Sequence, residues 1–393
     1  MKIALNTYQS AYQNPGGGEV VLNKHYEHLK ARGHQVELFN QWTTKIKDFD
    51  LIHSFGSINR DFWFAVKSTD VPLIVTPILW PQRTLFNWLC APLGGMVKSA
   101  SPYTKNPFKI YYEFRLPNRL IVNSQAEADR IHKVYKLPIE QFSVIPNGVD
   151  KRFRDANPEQ FVKRYEIKDF LLCVGRIANV KNQLALIKAA RGLDVKLVFI
   201  GSPEPASMDY YQECRKEAPK DTLFIDRVDQ GAALLSSAFA AASMVVIPSL
   251  FETCGIVAME AGLAGAPVAI THNGGTREYY KDYVNYLDPT SIATLRKSLI
   301  AALEKKKDTA KFRSYIEQNY LWERVIDRTL EVYQSVIRGG RKAESEALTD
   351  PEDSSSGSGD CPEIVLPKLE LDVEEATPVY MKENSNPLIG NRV

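Results

Sequence analysis

"MVVIPSLFETCGIVAMEAGLAGAPVAIT", residues 244–271, decides how this chain is to be read. MVVIPS has the length and apolar character of a buried strand, LFETC is an irregular loop, GIVAMEAGLAG is an apolar helix starting near Gly255, and APVAIT is a second buried strand. Two strands joined through one helix are the repeating unit of a parallel α/β sheet. Two carboxylates punctuate the unit, Glu252 in the loop and Glu260 inside the helix. The amides of the helix's first turn, on Gly255, Ile256 and Val257, have no intrahelical acceptor, and the positive end of the helix dipole stands behind them. Such a turn suits a phosphate. Eight residues at about 1.5 Å each put at most roughly 12 Å between the carboxylates, the reach of a nucleoside diphosphate sugar from hexose to ribose. The segment therefore predicts sugar hydroxyls on Glu252, the ribose diol on Glu260 and the diphosphate between. The competing local reading makes Glu252 a helix cap and Glu260 a residue of a solvated face.

Outward from this unit the same alternation continues. KIALNT, QVELFN, LIHSFG, PLIVTP, RLIVNS and FSVIPNG form one set of strands up to Gly148, and FLLCVG, KLVFIG, TLFIDR, MVVIPS and APVAIT form a second. The charged stretch VDKRFRDANPEQFVKRYEIKD lies between them, where a linker would fall. The expected architecture is α/β, two doubly wound Rossmann-like domains facing across a cleft. Residues 1–150 form the first, acceptor-side domain, and 151–320 the second, donor-side domain. Ligands are expected at the carboxyl ends of the strands. After Pro289 the pattern turns helical, with Tyr315, Tyr320, Val325, Leu330 and Tyr333 near helical spacing, and Gly339 and Gly340 are expected to stop it. Residues 341–393 are acidic and serine-rich, and are expected to be mostly disordered, a solubilising tail by composition, with a docking role for EIVLPKLELDV as the alternative.

Other strand ends add to the site. FLLCVGRIANVKNQ places Arg176 directly after a strand and Lys181 five residues on, where both cations could neutralise charge on a leaving diphosphate. Gly16, Gly17 and Gly18 follow the first strand and allow close approach of backbone to a ligand. A nicotinamide site is disfavoured, because the spacing is not GxGxxG and no acidic residue ends the second strand. THNGGTREYY puts a glycine turn ahead of Glu278, and VIPNGVD reads as a strand followed by a turn.

With 44% hydrophobic and 24% charged residues, the composition is that of a soluble globular protein and excludes both wholesale disorder and a multispanning membrane protein. The 5 cysteines are scattered without a CxxC pair, which argues against a disulfide framework and a zinc site and points to a reducing cytosol. The opening MKIALNTYQS has too short an apolar run for a signal peptide, and no stretch reaches the length of a spanning helix. The net charge of +2 conceals a basic body and an acidic tail, and the basic body suits anionic ligands.

Taken together, Glu252–x7–Glu260, Gly175–Arg176–x4–Lys181, the glycine loop at 16–18, PNGVD at 146–150 and GGxxE at 274–278 resemble retaining glycosyltransferases of the GT-B fold, glycosyltransferase family 4, also called glycosyl transferases group 1. Their order and spacing agree from residue 1 to about 340. The resemblance implies transfer of a sugar from a nucleotide diphosphate donor with retention at the anomeric carbon and without a metal, Arg176, Lys181 and the helix amides serving the diphosphate instead. It assigns catalytic roles to Arg176, Lys181 and Glu252, with Glu252 positioning the donor sugar, Glu260 to the ribose, and the backbone near Val228 to the base; Cys254 also lies in the donor loop. No cofactor is implied. NYLWERVIDRTLEVY looks like the family's terminal helices, so 321–340 is expected to cross back to the first domain. The chain departs from the family pattern in having Pro77 and Ile78 where a histidine often follows the fourth strand, and Cys254 and Arg227 where glycines are usual. His53 ends a different strand and reads as structural. The acceptor is expected to be a glycan, glycolipid or lipid-linked sugar, and residues 83–115, mixing aromatic and basic side chains, could lie peripherally on a membrane at the cytoplasmic face. Nucleic acid is not an expected partner, since no reading module accompanies the charge. The alternatives are a nucleotide-sugar-binding scaffold without transfer and a GT-B enzyme of another reaction, such as a phosphorylase or epimerase.

Overall fold

The computed structural model describes residues 1–9, 11–13, 16–56, 60–78, 80, 114–228 and 232–347. The aromatic and basic stretch proposed for membrane contact, apart from its last residues, and the acidic tail beyond residue 347 lie outside them. Residues Met1–Ala347 form one compact unit.

Twelve strands build two parallel sheets of six. The first holds β1 Lys2–Thr7, β2 Gln35–Leu38, β3 Leu51–Phe55, β4 Leu73–Thr76, β5 Arg119–Val122 and β6 Phe142–Val144, in the order β2-β1-β3-β4-β5-β6. The second holds β7 Phe170–Val174, β8 Lys196–Ile200, β9 Leu223–Ile225, β10 Met244–Ile247, β11 Val268–Thr271 and β12 Asn285–Leu287, in the order β12-β11-β10-β7-β8-β9. Parallel strands covered on both faces must be apolar on both, and the central strands here are. In β1, Ile3 and Leu5 face one core while Ala4 faces the other. In β10, Val245 and Ile247 face one core while Met244 and Val246 face the other. Every residue of β3, β4, β10 and β11 is buried. These strands read correctly from sequence because burial on two faces leaves an unmistakable apolar run.

Both sheets reverse their winding direction internally, the first between β1 and β3 and the second between β7 and β10. At such a point neighbouring crossovers leave on opposite faces and open a crevice at the strands' carboxyl ends. In the second sheet the register sets Val245 beside Leu172, so the loop after β7 and the loop after β10 emerge side by side. Two hydrogen bonds tie them, Leu250 N to Val180 O at 2.9 Å and Asn182 Nδ2 to Pro248 O at 3.1 Å.

The chain ends by returning to the first sheet. A helix over Thr309–Asn319 stops at Tyr320, and a second runs from Trp322 to Ala347. Trp322, Val325, Ile326, Tyr333 and Val336 of the second helix are buried in the core that contains β1 and β3. His53 lies under it, wholly buried, with Nδ1 2.6 Å from the Tyr333 hydroxyl and Nε2 2.8 Å from the Thr76 hydroxyl. Burial drives its imidazole pKa well below the ordinary histidine value, as a neutral, structural ring requires.

Two expectations are corrected here. Gly339 and Gly340 do not end the helix, which continues to Ala347, into the segment expected to be disordered from 341. A glycine inside a helix costs only about 1 kcal/mol against alanine, and without a left-handed residue or a competing acceptor it does not terminate one. The short edge strand β12, at Asn285–Leu287, was not anticipated, because three residues carry no readable period.

Gly148 explains the turn in PNGVD. A Cβ built there would lie 2.5 Å from the Trp322 ring, so glycine is what allows the returning helix to sit against the domain connection. The backbone alongside is paired, Val149 N donating to Tyr320 O at 2.7 Å and Trp322 N to Val149 O at 3.2 Å. Overpacking a buried site typically costs 1–3 kcal/mol. Gly148→Ala is therefore expected to destabilise the protein by about 2 kcal/mol in urea unfolding, while an alanine at Gly17, where nothing lies within 4 Å, should cost far less.

Candidate active site

The carboxyl ends of the two sheets share a cavity of about 490 Å³, within the range of ordinary ligand sites. Twelve of the residues singled out from sequence line it, Gly16, Gly17 and Gly18 from the first sheet's side, Arg176, Lys181 and Val228 from loops of the second, and Glu252, Cys254, Gly255, Ile256, Val257 and Glu260 from the loop and helix after β10, whereas Glu278 does not.

The loop after β10 owes its shape to glycine. Gly255 caps the helix Ile256–Ala264 at φ +67°, a left-handed conformation that lets the chain turn sharply into the helix. The amides of Gly255, Ile256 and Val257 make no hydrogen bond among the described residues. The nearby carbonyls are tied back instead, the Tyr280 hydroxyl lying 2.6 Å from Cys254 O and 2.8 Å from Gly255 O. The turn therefore presents donors to the cavity and keeps acceptors away from it.

Glu252 is 8% exposed, and its backbone pairs with the segment carrying the second double glycine. Glu252 N donates to Asn273 O at 3.2 Å and Gly275 N to Glu252 O at 3.1 Å. A Cβ on Gly274, whose φ is +104°, would lie 1.9 Å from Glu252 O, so only glycine permits this approach. Glu252 Oε1 accepts from Lys181 Nζ at 2.6 Å and from the buried Ser249 hydroxyl at 2.7 Å. Both donors use the same oxygen, which leaves Oε2 for another partner. Lys181 is thus bound to Glu252 here as well as facing the cavity, an ion pair across 71 residues of sequence. Arg176, about half exposed, pairs with Glu204 through Nη1 at 2.6 Å.

Glu260 differs. It is 5% exposed and makes no hydrogen bond or ion pair among the described residues. Burial pushes its carboxyl pKa up to about 8, with the charge of Arg152 pulling down and that of Asp150 pushing up. A buried acid without a partner beside a cavity has hydrogen-bonding capacity that a ligand could meet. Neither local alternative fits, for Glu252 does not cap the helix and Glu260 does not face solvent.

Cys254 carries a thiol held neutral by burial, its pKa pushed up to about 11. It accepts a hydrogen bond from Asn147 Nδ2 at 3.2 Å, joining the donor loop to the PNGVD turn. Glu278 of the GGxxE segment reaches across the cleft, accepting from the amides of Gln125 at 2.7 Å and Ala126 at 3.2 Å in the first turn of the helix Gln125–Tyr135. Beside it the Tyr279 hydroxyl donates to Asn123 O at 2.8 Å and accepts from Asn147 N at 3.0 Å. In this position the acid satisfies orphan helix amides of the opposite domain.

Residues 155–319 match the family model described as glycosyl transferases group 1, and residues 40–153 that of glycosyltransferase family 4. Residues 155–319, which hold the second sheet, belong to the group 1 glycosyl transferases. Among relatives of this family, the D-inositol 3-phosphate glycosyltransferase of Paenarthrobacter aurescens is 26% identical over 245 residues, 56% of this chain, and the match spans 58% of that relative's length. The protein of the same description from Xylanimonas cellulosilytica is 23% identical over 330 residues, 79% of this chain and 75% of that one. The crystal structure of Anabaena HepE in complex with UDP superposes with a TM-score of 0.66 at 18% identity, covering 85% of this chain and all of that one. Sucrose-phosphate synthase from Thermosynechococcus elongatus superposes at 0.67 with 15% identity, covering 86% of this chain. The two Rossmann-like domains are thus those of the GT-B fold.

Directly after β4 come Pro77 and Ile78, the pair that departs from the resembled pattern, and Ile78 faces the cavity. It is 44% exposed in the cavity wall at φ +47°, a strained conformation for a β-branched residue. Ser249, Glu204 and Asn123 also line the cavity, although they are not among the residues expected there from sequence. Ser249 was detectable, as a hydroxyl at a strand's carboxyl end three residues before Glu252. Glu204 and Asn123 also follow strands, but nothing local separates such residues from ordinary loop positions. Val228 borders the cavity, and the residues immediately following it lie outside those described. No described helix is long and apolar enough to cross a membrane.

Proposed function

We propose that the protein transfers a glycosyl group from a nucleotide diphosphate sugar to a hydroxyl of a glycan, glycolipid or lipid-linked acceptor, with retention at the anomeric carbon and without a metal ion. The observation carrying this reading is the arrangement on one cavity wall: a paired Glu252 with one oxygen left over, three unpartnered amides, and a buried, unpartnered Glu260. The sugar sits by Glu252, the diphosphate at the amides with Lys181 and Arg176, the ribose at Glu260 and the base by Val228. The cations and amides supply the positive field a metal would otherwise provide. The second sheet's domain holds the donor and the first presents the acceptor. The protein acts in the cytoplasm, peripherally at the membrane where its acceptor is lipid-linked.

UDP is the first donor nucleotide to test, because the similar Anabaena protein was crystallised with UDP and with UDP and glucose. D-inositol 3-phosphate belongs among the acceptors tested, from the relatives' described activity. Calorimetry with UDP, GDP and ADP is expected to find one nucleotide bound at micromolar affinity, and NMR of the product formed from its sugar should show the donor's anomeric configuration kept. Failure of all three nucleotides to bind would refute the donor site. Ile78 in place of the usual histidine favours a second reading, a nucleotide-sugar-binding scaffold, and it would prevail if donor binds but neither hydrolysis nor transfer follows.

A further inference from the structure

From its side of the cavity the first domain offers few polar side chains, Thr76, Asn123 and Asn147. The Thr76 hydroxyl is engaged by His53, and the Asn147 side-chain nitrogen by Cys254. Asn123, directly after β5, is different. It lines the cavity, is 6% exposed, and its carboxamide makes no hydrogen bond among the described residues. Its backbone is held from both sides, N–H by Glu127 Oε2 at 2.8 Å and C=O by the Tyr279 hydroxyl at 2.8 Å. The next residues are fastened by Glu278 from the other domain. The side chain is thus carried on an immobilised backbone, with both its donor and its acceptor unused.

We infer that Asn123 binds the reacting hydroxyl of the acceptor, and of a water when acceptor is absent. A carboxamide donates and accepts, and so does a hydroxyl, whereas a carboxylate or ammonium can do only one. The group it recognises is an uncharged hydroxyl of a sugar or polyol ring. The inference rests on the donor reading above. In the step it serves, the bond from the anomeric carbon to the diphosphate oxygen breaks, a bond from the hydroxyl oxygen to that carbon forms, and the hydroxyl proton passes to the departing diphosphate. Tyr279 belongs to the donor domain and hydrogen-bonds the backbone of Asn123 directly, so the acceptor-binding side chain is placed by a contact from the donor domain itself.

The test compares wild type with Asn123→Ala and with Asn123→Leu, the latter keeping the volume while removing hydrogen bonding. UDP affinity is measured by calorimetry, and glucose release from saturating UDP-glucose reports attack by water. Both variants are expected to bind UDP within twofold of wild type while releasing glucose at least tenfold more slowly. Release within twofold of wild type in either folded variant would overturn the inference, as would a loss of UDP affinity matching the loss of rate. Wild-type binding of UDP-glucose with no glucose release would also count against it, since no water would then be brought to the bound donor. A wild type that binds neither UDP nor UDP-glucose would instead overturn the donor reading itself.

Discussion

Affinity for UDP-glucose is expected to rise about tenfold per pH unit from pH 6 to the neighbourhood of pH 8 and then to level off. The cause is Glu260, whose carboxyl burial holds protonated up to about pH 8 in the free protein. A ribose diol donates hydrogen bonds and needs the carboxylate, so binding must expel a proton, and each unit of pH below the pKa costs a factor of ten. UDP-glucose is the proper probe because its diphosphate has no ionisation in that range. Glu260→Gln should flatten the profile and weaken binding at pH 8 by about ten- to a hundredfold, the loss of hydrogen bonds to a charged group. A wild-type affinity independent of pH would refute the assignment of the ribose to Glu260. The free protein should show the opposite trend in stability. With a folded pKa above the ordinary glutamate value of 4.5, Glu260 binds its proton more tightly folded than unfolded, so its contribution is complete below pH 4.5 and lost as pH rises through about 8. Glu260→Gln, without a charge to bury, should therefore gain stability relative to wild type as pH rises from 5 to 8 in urea titrations.

Lys181→Met and Glu252→Gln are each expected to lower turnover about a hundredfold, and the double variant little more than either alone. A well-placed electrostatic donor at a leaving group is worth roughly 3 kcal/mol, which sets the scale for Lys181. Its ammonium lies 2.6 Å from Glu252 Oε1, so removing either partner disturbs the other, and residues that share one hydrogen-bonded contact do not act additively. Steady-state kinetics on the four proteins of the cycle would measure the coupling. Additive losses in kcat would mean that the pair seen in the structure does not persist in the working enzyme. Ser249→Ala should mimic Glu252→Gln more weakly, since Lys181 would still hold Oε1.

Much of this protein was legible in its residues because its strands are buried on both faces and its loops carry glycine where the backbone must turn or approach. Apolar runs such as LIVT and MVVI have one physical outcome in a chain that alternates with helices, and Gly255 ahead of an apolar helix announces a turn with free amides. These features depend on neighbours a few positions away, which is why the paired sheets and the cavity wall after β10 could be foreseen. The continuation of the last helix through Gly339 and Gly340, and the short strand β12, could not, because a local penalty of about 1 kcal/mol or a three-residue run decides nothing without the packing around it.

The sequence by itself determined two doubly wound domains, the helix turn with its free amides, and the acids and cations at the strand ends. Only the tertiary structure decided how those charges are spent. Lys181 reaches Glu252 across 71 residues, Glu278 caps a helix of the other domain across more than 150, and Glu260 and the Asn123 carboxamide are left buried without partners. The physical reason is that partnership and desolvation belong to the folded arrangement. Residue type states what a side chain can bond, and the packing of distant segments determines what remains for it to bond with.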